Sequence, residues 1–394
     1  MDPALSTLIK EKATKLLSSV RSYREHLHQY PELSYEEYET MSYVSSILTE
    51  HNIPHQTGIG KTGVVALIKS EKHASDDCIA LRADLDALPI TEQNDVPYRS
   101  MKNGLMHACG HDVHTAILLG TAIILDSVKD KLPKPIKLIF QPGEEKNPGG
   151  ATLMIKDGVL ENPKVSEMYA LHVFPDLETG KVGFKEGIYM ASCDEIHLTI
   201  NGKGGHGATP HQCIDPIMIG ASIVLELQQI VSRKCDPKTP CVLSFGHFEA
   251  LGATNIIPST AKLKGTFRTM NEIWRNEALS LIEKQIRHIA EGQGATVELE
   301  ISRGYPYLEN DPILTRKLKG RSEDFFGKTN VVDLPIRLTS EDFSYYSHEV
   351  PVCFFRLGVR NEELGIIHGV HHPKFDIDHN ALLTGMQAMC LAVL

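Results

Sequence analysis

The stretch M-H-A-C-G-H-D-V-H, Met106 to His114, runs without a break into T-A-I-L-L-G-T-A-I-I-L, Thr115 to Leu125. No other feature constrains the fold as much. The second half is apolar all round, and a helix of that kind is stable in water only when protein surrounds it. The first half is thereby pinned to the N-terminus of a buried helix, with three histidines, one cysteine and one aspartate in it. Cys109 and His111 are separated by one glycine, so a tight turn lets both side chains reach one ion. A thiolate with an imidazole suits zinc or another late transition metal better than magnesium or calcium. The positive end of the helix dipole also favours a thiolate. The competing reading is a histidine-rich turn whose cysteine packs as a small hydrophobe.

Metal-type side chains recur at the ends of short apolar runs. Residues 64–68 and 78–81 are rich in β-formers and read as strands. L-R-A-D-L-D-A-L-P follows the second, and Asp84 and Asp86 have the period-two spacing that puts them on one side. Paired acids at the end of a parallel-type strand commonly line a ligand crevice; a polar turn ahead of Pro89 is the alternative. Residues 136–140 read as a buried strand that leads into Q-P-G-E-E. Consecutive residues on an extended loop point in opposite directions, so one glutamate can bind a metal while its neighbour faces a substrate. Glu145 suits the ligand role and Glu144 that of general base. A third run, 168–171, ends in His172. Near the C-terminus, H-G-V-H-H-P offers His371 or His372 as a distant ligand. Outside these runs, helical spacing over 4–30 predicts a first helix, and residues 380–394 a last one. Ser34 with Glu37 reads as a capping box for a helix reaching about residue 50.

A chain of 394 residues is too long for one ordinary core. From Ser192 the pattern changes to strand, helix, strand, strand, helix, strand, the order of a ferredoxin-like unit. We therefore expect an inserted domain over 190–301, with 1–189 and 302–394 forming the other. The insert begins with G-K-G-G-H-G-A-T-P, whose glycines leave His206 on a mobile or closely approached loop, or on a plain hairpin turn. Arg268 closes an expected strand and can hold a carboxylate bidentately, with Asn255 in reach to assist.

A net charge of −10 argues against nucleic acid as a partner. The eight cysteines are scattered without a C-x-x-C pair, which fits reduced thiols and a cytoplasmic setting. The first residues lack a basic segment followed by a long apolar run, so no signal peptide is expected. No uncharged apolar run reaches about 18 residues, so no membrane span is expected.

Together L-R-A-D-L-D-A-L-P, M-H-A-C-G-H-D-V-H, Q-P-G-E-E, L-H-V, G-K-G-G-H-G-A-T-P and H-H-P-K-F-D-I-D resemble, in that order, the metal-dependent amidohydrolase and carboxypeptidase family. That family includes hippurate hydrolase, N-acyl-amino-acid amidohydrolases and the indole-acetyl-amino-acid hydrolases of plants. The resemblance implies an α/β catalytic domain, with a mixed, mainly parallel sheet flanked by helices. The inserted ferredoxin-like domain would then serve dimerisation or act as a lid. It implies two divalent metal ions per subunit (zinc, manganese, cobalt or nickel) held by Cys109, His111, Glu145, His172 and His371. His371 is preferred to His372 because the family ligand sits two residues before the motif's proline. Glu144 falls at the catalytic glutamate and Asp86 at an acid beside the metals. Asp84 stands where more distant relatives carry histidine, which puts a ligand role for it in doubt. His206 matches a histidine that reaches the partner subunit's active site, and Asn255 and Arg268 match positions that hold the substrate carboxylate. The implied activity is hydrolysis of the amide bond of N-acyl amino acids by a homodimer or higher homo-oligomer. A dipeptidase or carboxypeptidase, a non-catalytic metal- or peptide-binding protein, and a structural zinc protein are the alternatives.

Overall fold

The computed structural model describes residues 3–73 and 75–394. In chain order it begins with α1 (Pro3–Gln29), α2 (Tyr38–Glu50), β1 (His55–Ile59), β2 (Gly63–Ile68), β3 (Asp77–Asp84) and α3 (His111–Ser127). Next come β4 (Ile136–Gln141), α4 (Gly150–Lys156), β5 (Lys164–Glu178), β6 (Val182–Phe184), β7 (Gly187–Met190), β8 (Asp194–Asn201) and β9 (Gly205–His206). Then follow α5 (Pro216–Gln229), β10 (Cys241–Glu249), β11 (Ile256–Ile257), β12 (Thr260–Thr269), α6 (Glu272–Gly292), β13 (Thr296–Arg303) and β14 (Leu308–Asn310). The chain ends with α7 (Pro312–Phe326), β15 (Val331–Asp333), α8 (Ser344–Ser347), β16 (Val352–Arg360) and α9 (Asn380–Ala392). It divides into two compact units: Met1–Gly187 with Glu309–Pro335 and Tyr345–Leu394, and Ile188–Leu308 with Ile336–Ser344.

The first unit is built on a mixed sheet in the order β1-β2-β4-β3-β5-β16-β6-β15. Its centre is parallel: β3 pairs in that sense with both β4 and β5, and β16 with β5. β1 with β2, β2 with β4 and β16 with β6 pair antiparallel, and β15 joins β6 in parallel at the edge. The central strands are buried along nearly their whole length, as a sheet covered on both faces requires. Helices α1, α3 and α9 pack on one another. Residues Val113 to Ala122 of α3 are all buried, as its apolar circumference predicts. Gly120 and Gly385 mark the closest approaches; a Cβ would meet Met386 and Val20 at the first and Ile117 at the second.

The second unit has a four-stranded antiparallel sheet in the order β10-β12-β8-β13. This is the ferredoxin-like arrangement, in which the first and third strands lie in the middle. Helices α5 and α6 cover one face through Ile219, Ile223, Leu227, Ala278, Ile282 and Ile286. The segment Ile336–Ser344 also belongs to this unit, although its sequence carries no sign of it and the expected boundary, at 301, assigned it elsewhere. The second junction lies at 308, because Tyr305 and Tyr307 bond back to Cys193 and Glu272.

The expected capping box does not form. Glu37 is the N-cap of α2 but makes no capping bond, and its carboxylate accepts instead from Thr62 and from the Gly143 amide. The Ser34 hydroxyl donates to Asp86 at 2.6 Å. Both polar groups are buried and find stronger acceptors or donors in the tertiary structure than a helix end offers.

Arg275 of α6 holds the second unit together from inside. It donates to both oxygens of Asp194, at 2.8 and 2.6 Å, and to the Gly304 carbonyl at 2.9 Å. Asp194→Ala removes the buried counter-charge on Nε and Nη2 and leaves only the partly exposed Glu272, 3.0 Å from Nη1. We expect a loss of about 3–5 kcal/mol in urea unfolding, whereas a change under about 1 kcal/mol would show the pair to be dispensable.

Candidate metal centre

The site lies where strand ends meet the start of α3. Register pairs Arg82 of β3 with Ala170 of β5, so Asp84 and His172, each two residues on, reach the same level. Gln141 closes β4 and leads into the turn that carries Glu144 and Glu145. Gly110, at φ +85°, turns the chain into α3 between Cys109 and His111. Only a residue without Cβ fits there, since a Cβ would lie 2.6 Å from Val173.

Candidate ligand atoms gather in overlapping groups, each with all atoms within 4.8 Å of one another. Among them are Cys109 with His111 and His172, Cys109 with Glu145 and His371, His111 with Glu144 and Glu145, and Asp84 with His111 and His114. Cys109 is common to the first two, so its sulfur sits between two clusters. Its Sγ is 3.5 Å from His172 Nε2 and 3.3 Å from His371 Nε2. Between the adjacent histidines, it is His371 that points at Cys109, at φ +65°, with half its side chain exposed and its amide donating to the Ala108 carbonyl at 2.7 Å. His372 is exposed, stacks on His368 and accepts from the Lys374 amide.

Hydrogen bonds decide which nitrogen each ring presents. His111 Nδ1 faces two acceptors, the Asp86 carbonyl at 2.8 Å and Asp86 Oδ1 at 3.2 Å, so it carries the proton. His172 Nδ1 donates to the Val173 carbonyl at 2.8 Å. In both rings Nε2 is the nitrogen left to face the cluster, the arrangement that second-sphere acceptors impose on metal-binding histidines. His114 differs. Its Nε2 accepts from the Val173 amide at 2.9 Å and its Nδ1 donates to Asp84 at 2.6 Å, so both nitrogens are committed. Asp84 is also paired with Arg82 at 2.6 Å. Asp84 and His114 thus brace the strands rather than offer ligand atoms.

The donors fit a cation. His111 Nε2 and Glu145 Oε1 are buried yet have no hydrogen-bond partner. Glu145 Oε1 lies 3.2 Å from His371 Nε2 in ion-pair range, but the contact is not a hydrogen bond. Burial, then the charges of Glu145, Glu144 and Asp84, push the Cys109 thiol well up, so a thiolate here needs a positive ion beside it. Burial opposes protonation of His111, but Asp84 and Asp86 prevail and raise it to about 10, so without a cation Nε2 holds a proton that a bound ion would displace. A thiol, imidazoles and carboxylates sharing one point suit late transition metals.

A model of the peptidase family M20/M25/M40 matches residues 80–394. The chain belongs to that family. It is also 37% identical to a probable hydrolase of Synechocystis sp., over 98% of this chain and 97% of that one. Among its relatives is the N-acyl-L-amino acid amidohydrolase of Geobacillus stearothermophilus, 40% identical over 77% of this chain and 84% of that one. Thermostable carboxypeptidase 1 of Saccharolobus solfataricus is 36% identical over 97% and 96%. The solved YXEP protein of Bacillus subtilis, described as a dinuclear metal-binding peptidase of the M20 family, is 32% identical. It superposes with a TM-score of 0.79 over 96% of this chain and 98% of that one. This M20 chain is accordingly a hydrolase built on the fold of a metal-dependent family.

His206, Asn255 and Arg268 lie in the second unit. His206 pairs with Ile256 in the β9–β11 ribbon, and the Gly207 amide donates to the Asn255 carbonyl at 2.9 Å. Arg268 Nη1 donates to the Leu338 carbonyl at 3.1 Å and reaches Ser340 Oγ at 3.5 Å.

Sequence reasoning gave no individual site role to His114, Arg82, Ser34, Glu37 or the buried group of Arg24, His28, Asp112 and Glu92. For Arg24 a signal exists: it falls on the apolar stripe of α1 that carries Val20 and Leu27, where a charge must be buried. Gly110→Ala forces a side chain into left-handed backbone at about 1–2 kcal/mol, before its clash with Val173. We expect lower denaturant stability and reduced bound metal at fixed free zinc; wild-type values for both would contradict the reading of this turn.

Proposed function

We propose that the protein hydrolyses the amide bond of N-acyl amino acids, such as N-acetyl or N-benzoyl derivatives, to a carboxylic acid and a free amino acid. The observation that carries this reading is the convergence of Cys109, His111, Glu145, His172 and His371 beside Glu144, in a family whose relatives include an N-acyl-L-amino acid amidohydrolase. Those five residues would hold two divalent ions, of which zinc, manganese, cobalt and nickel suit the donors. When bound, such ions supply Lewis acidity towards a carbonyl oxygen and acidify water.

The chain's own residues do the rest. Glu144 takes a proton from the attacking water and returns it to the departing amine. Asp86 sets the His111 tautomer and accepts from the Glu145 amide at 2.9 Å, which holds ligand and base in one turn. By motif position, Asn255 and Arg268 bind the amino-acid carboxylate and so select which bond is presented. His206 donates to the developing oxyanion, again by motif position.

The second reading is a carboxypeptidase or dipeptidase, favoured by the carboxypeptidases among the relatives. Purified protein, reconstituted in turn with zinc, manganese, cobalt and nickel, should be tested against N-acyl amino acids and dipeptides side by side. Faster turnover of the N-acyl compounds supports the first reading; preference for dipeptides replaces it with the second. Glu144→Gln should keep its bound metal and lose turnover by about 10²–10⁴-fold. Retained turnover in metal-loaded protein would remove the base from this position.

The active form in this reading is a cytoplasmic homodimer or higher homo-oligomer. Its eight free cysteines suit a reducing compartment, and no described helix is long and apolar enough to cross a membrane. On the second unit, β10 is an edge strand, and Met218 and Leu225 of α5 are 61% and 72% exposed. A second copy of the chain would cover them. Met218→Glu with Leu225→Glu should shift a dimer to monomer in light scattering. An unchanged mass would place the contact elsewhere.

A further inference from the structure

The two ligand groups are not equally supported. His111 and His172 stand on α3 and β5, and each has its Nδ1 tied to backbone carbonyl. His371 stands between β16 and α9, in chain that forms neither helix nor strand among the described residues, and its backbone is left-handed. Something must hold that segment. The Pro373 and Phe375 carbonyls accept from Gln93 and Asn94, at 2.8 and 2.9 Å. The His371 amide donates to the Ala108 carbonyl at 2.7 Å. A further tether is a charge that the hydrolytic chemistry does not use.

Arg24 of α1 is fully buried. Its Nε donates to Asp112 Oδ2 at 2.8 Å and its Nη2 to Asp376 Oδ1 at 2.9 Å. Asp112 follows His111 directly; Asp376 lies five residues beyond His371. The Tyr98 hydroxyl donates to the other oxygen of Asp376 at 2.7 Å, and the Tyr98 ring lies under the guanidinium at 4.7 Å. His28 shares Asp112 Oδ2 at 2.8 Å and reaches Glu92 at 3.1 Å. A guanidinium is a rigid planar fork, so the angle between its two carboxylate partners is fixed in a way that a lysine cannot reproduce.

We propose that Arg24 is a positioning residue that couples the two ligand-bearing segments, setting the His371 loop against the start of α3 through Asp376 and Asp112. The cation place made by Cys109, Glu145 and His371 depends on this fork. The place made by Cys109, His111 and His172 is secured by the strands and depends on it far less. The inference rests on the two-cation reading above.

Zinc binding to the full-length protein tests it, by equilibrium dialysis over graded free zinc with bound metal measured by atomic emission. Wild type should take up two equivalents per chain. Asp376→Asn cuts only the His371 side, and Arg24→Lys keeps the charge but removes the fork. Both should weaken one equivalent about 10-fold or more and leave the other within about 3-fold, the loss usual for outer partners of metal ligands. Circular dichroism confirms folding; if Arg24→Lys does not fold, Asp376→Asn and Tyr98→Phe decide, since both leave the Arg24–Asp112 pair intact. Two equivalents on wild type with uniform weakening, or none, in the folded variants overturns the role of Arg24 alone. Fewer than two equivalents on wild type overturns the two-cation reading and this inference with it.

Discussion

Carboxylates and a thiol buried beside one another need positive charge among them. Transfer of an ionised group out of water is costly unless it is paired, and like charges at a few ångströms add to that cost. Asp84 is answered by Arg82 and His114, and Asp112 by Arg24 and His28. Around Cys109 the protein brings imidazole nitrogens and the Glu145 carboxylate within a few ångströms of one sulfur, with the Nε2 edges of the rings turned towards it. That concentration of donors is stable in the presence of divalent ions, and the surrounding architecture is arranged to maintain it.

The arrangement explains much of the first unit. Parallel strands β3, β4 and β5 end or pass at one level, so that Asp84, the Glu144–Glu145 turn and His172 face the start of α3. The all-apolar helix behind that start is locked in the core, which fixes Cys109 and His111 relative to the sheet. Polar residues that look like local helix signals serve the site instead: Ser34 bonds Asp86, and Glu37 the Gly143 amide ahead of the Glu144–Glu145 turn. Burial, with Asp86 adding to it, pushes the Glu37 carboxyl up to about 7, a sign of how much negative charge this region already carries. The left-handed backbone at His371 is a comparable local strain, tolerated where tertiary contacts hold it.

Local patterns were legible. The apolar run after His114 read directly as a buried helix, and the alternation of strands and helices after Ser192 is the one the structure shows. The strand order of the inserted unit followed from its run of elements. Ser34 and Glu37 misled because a capping box is judged on spacing alone, and nothing within a few residues reveals the buried partners that outcompete it. Arg24 was passed over for a related reason: its carboxylate partners stand 88 and 352 residues away. Membership of Ile336–Ser344 in the second unit likewise depends on contacts such as those of Ala191 with Arg337 and Thr339, for which no local periodicity exists.

Side-chain chemistry at fixed local spacing was settled by the chain itself: a thiol one residue from an imidazole, adjacent glutamates after a strand, a histidine pair before a proline. These are properties of a few consecutive residues, and a few dihedral angles preserve them in almost any fold. Tertiary structure decided which nitrogen of each ring faces inward, that His371 and not His372 turns towards Cys109, and that Asp84 is braced rather than offered. Each of those outcomes is set by hydrogen-bond partners from distant segments, whose relative positions exist only once the sheet and its helices have closed around them.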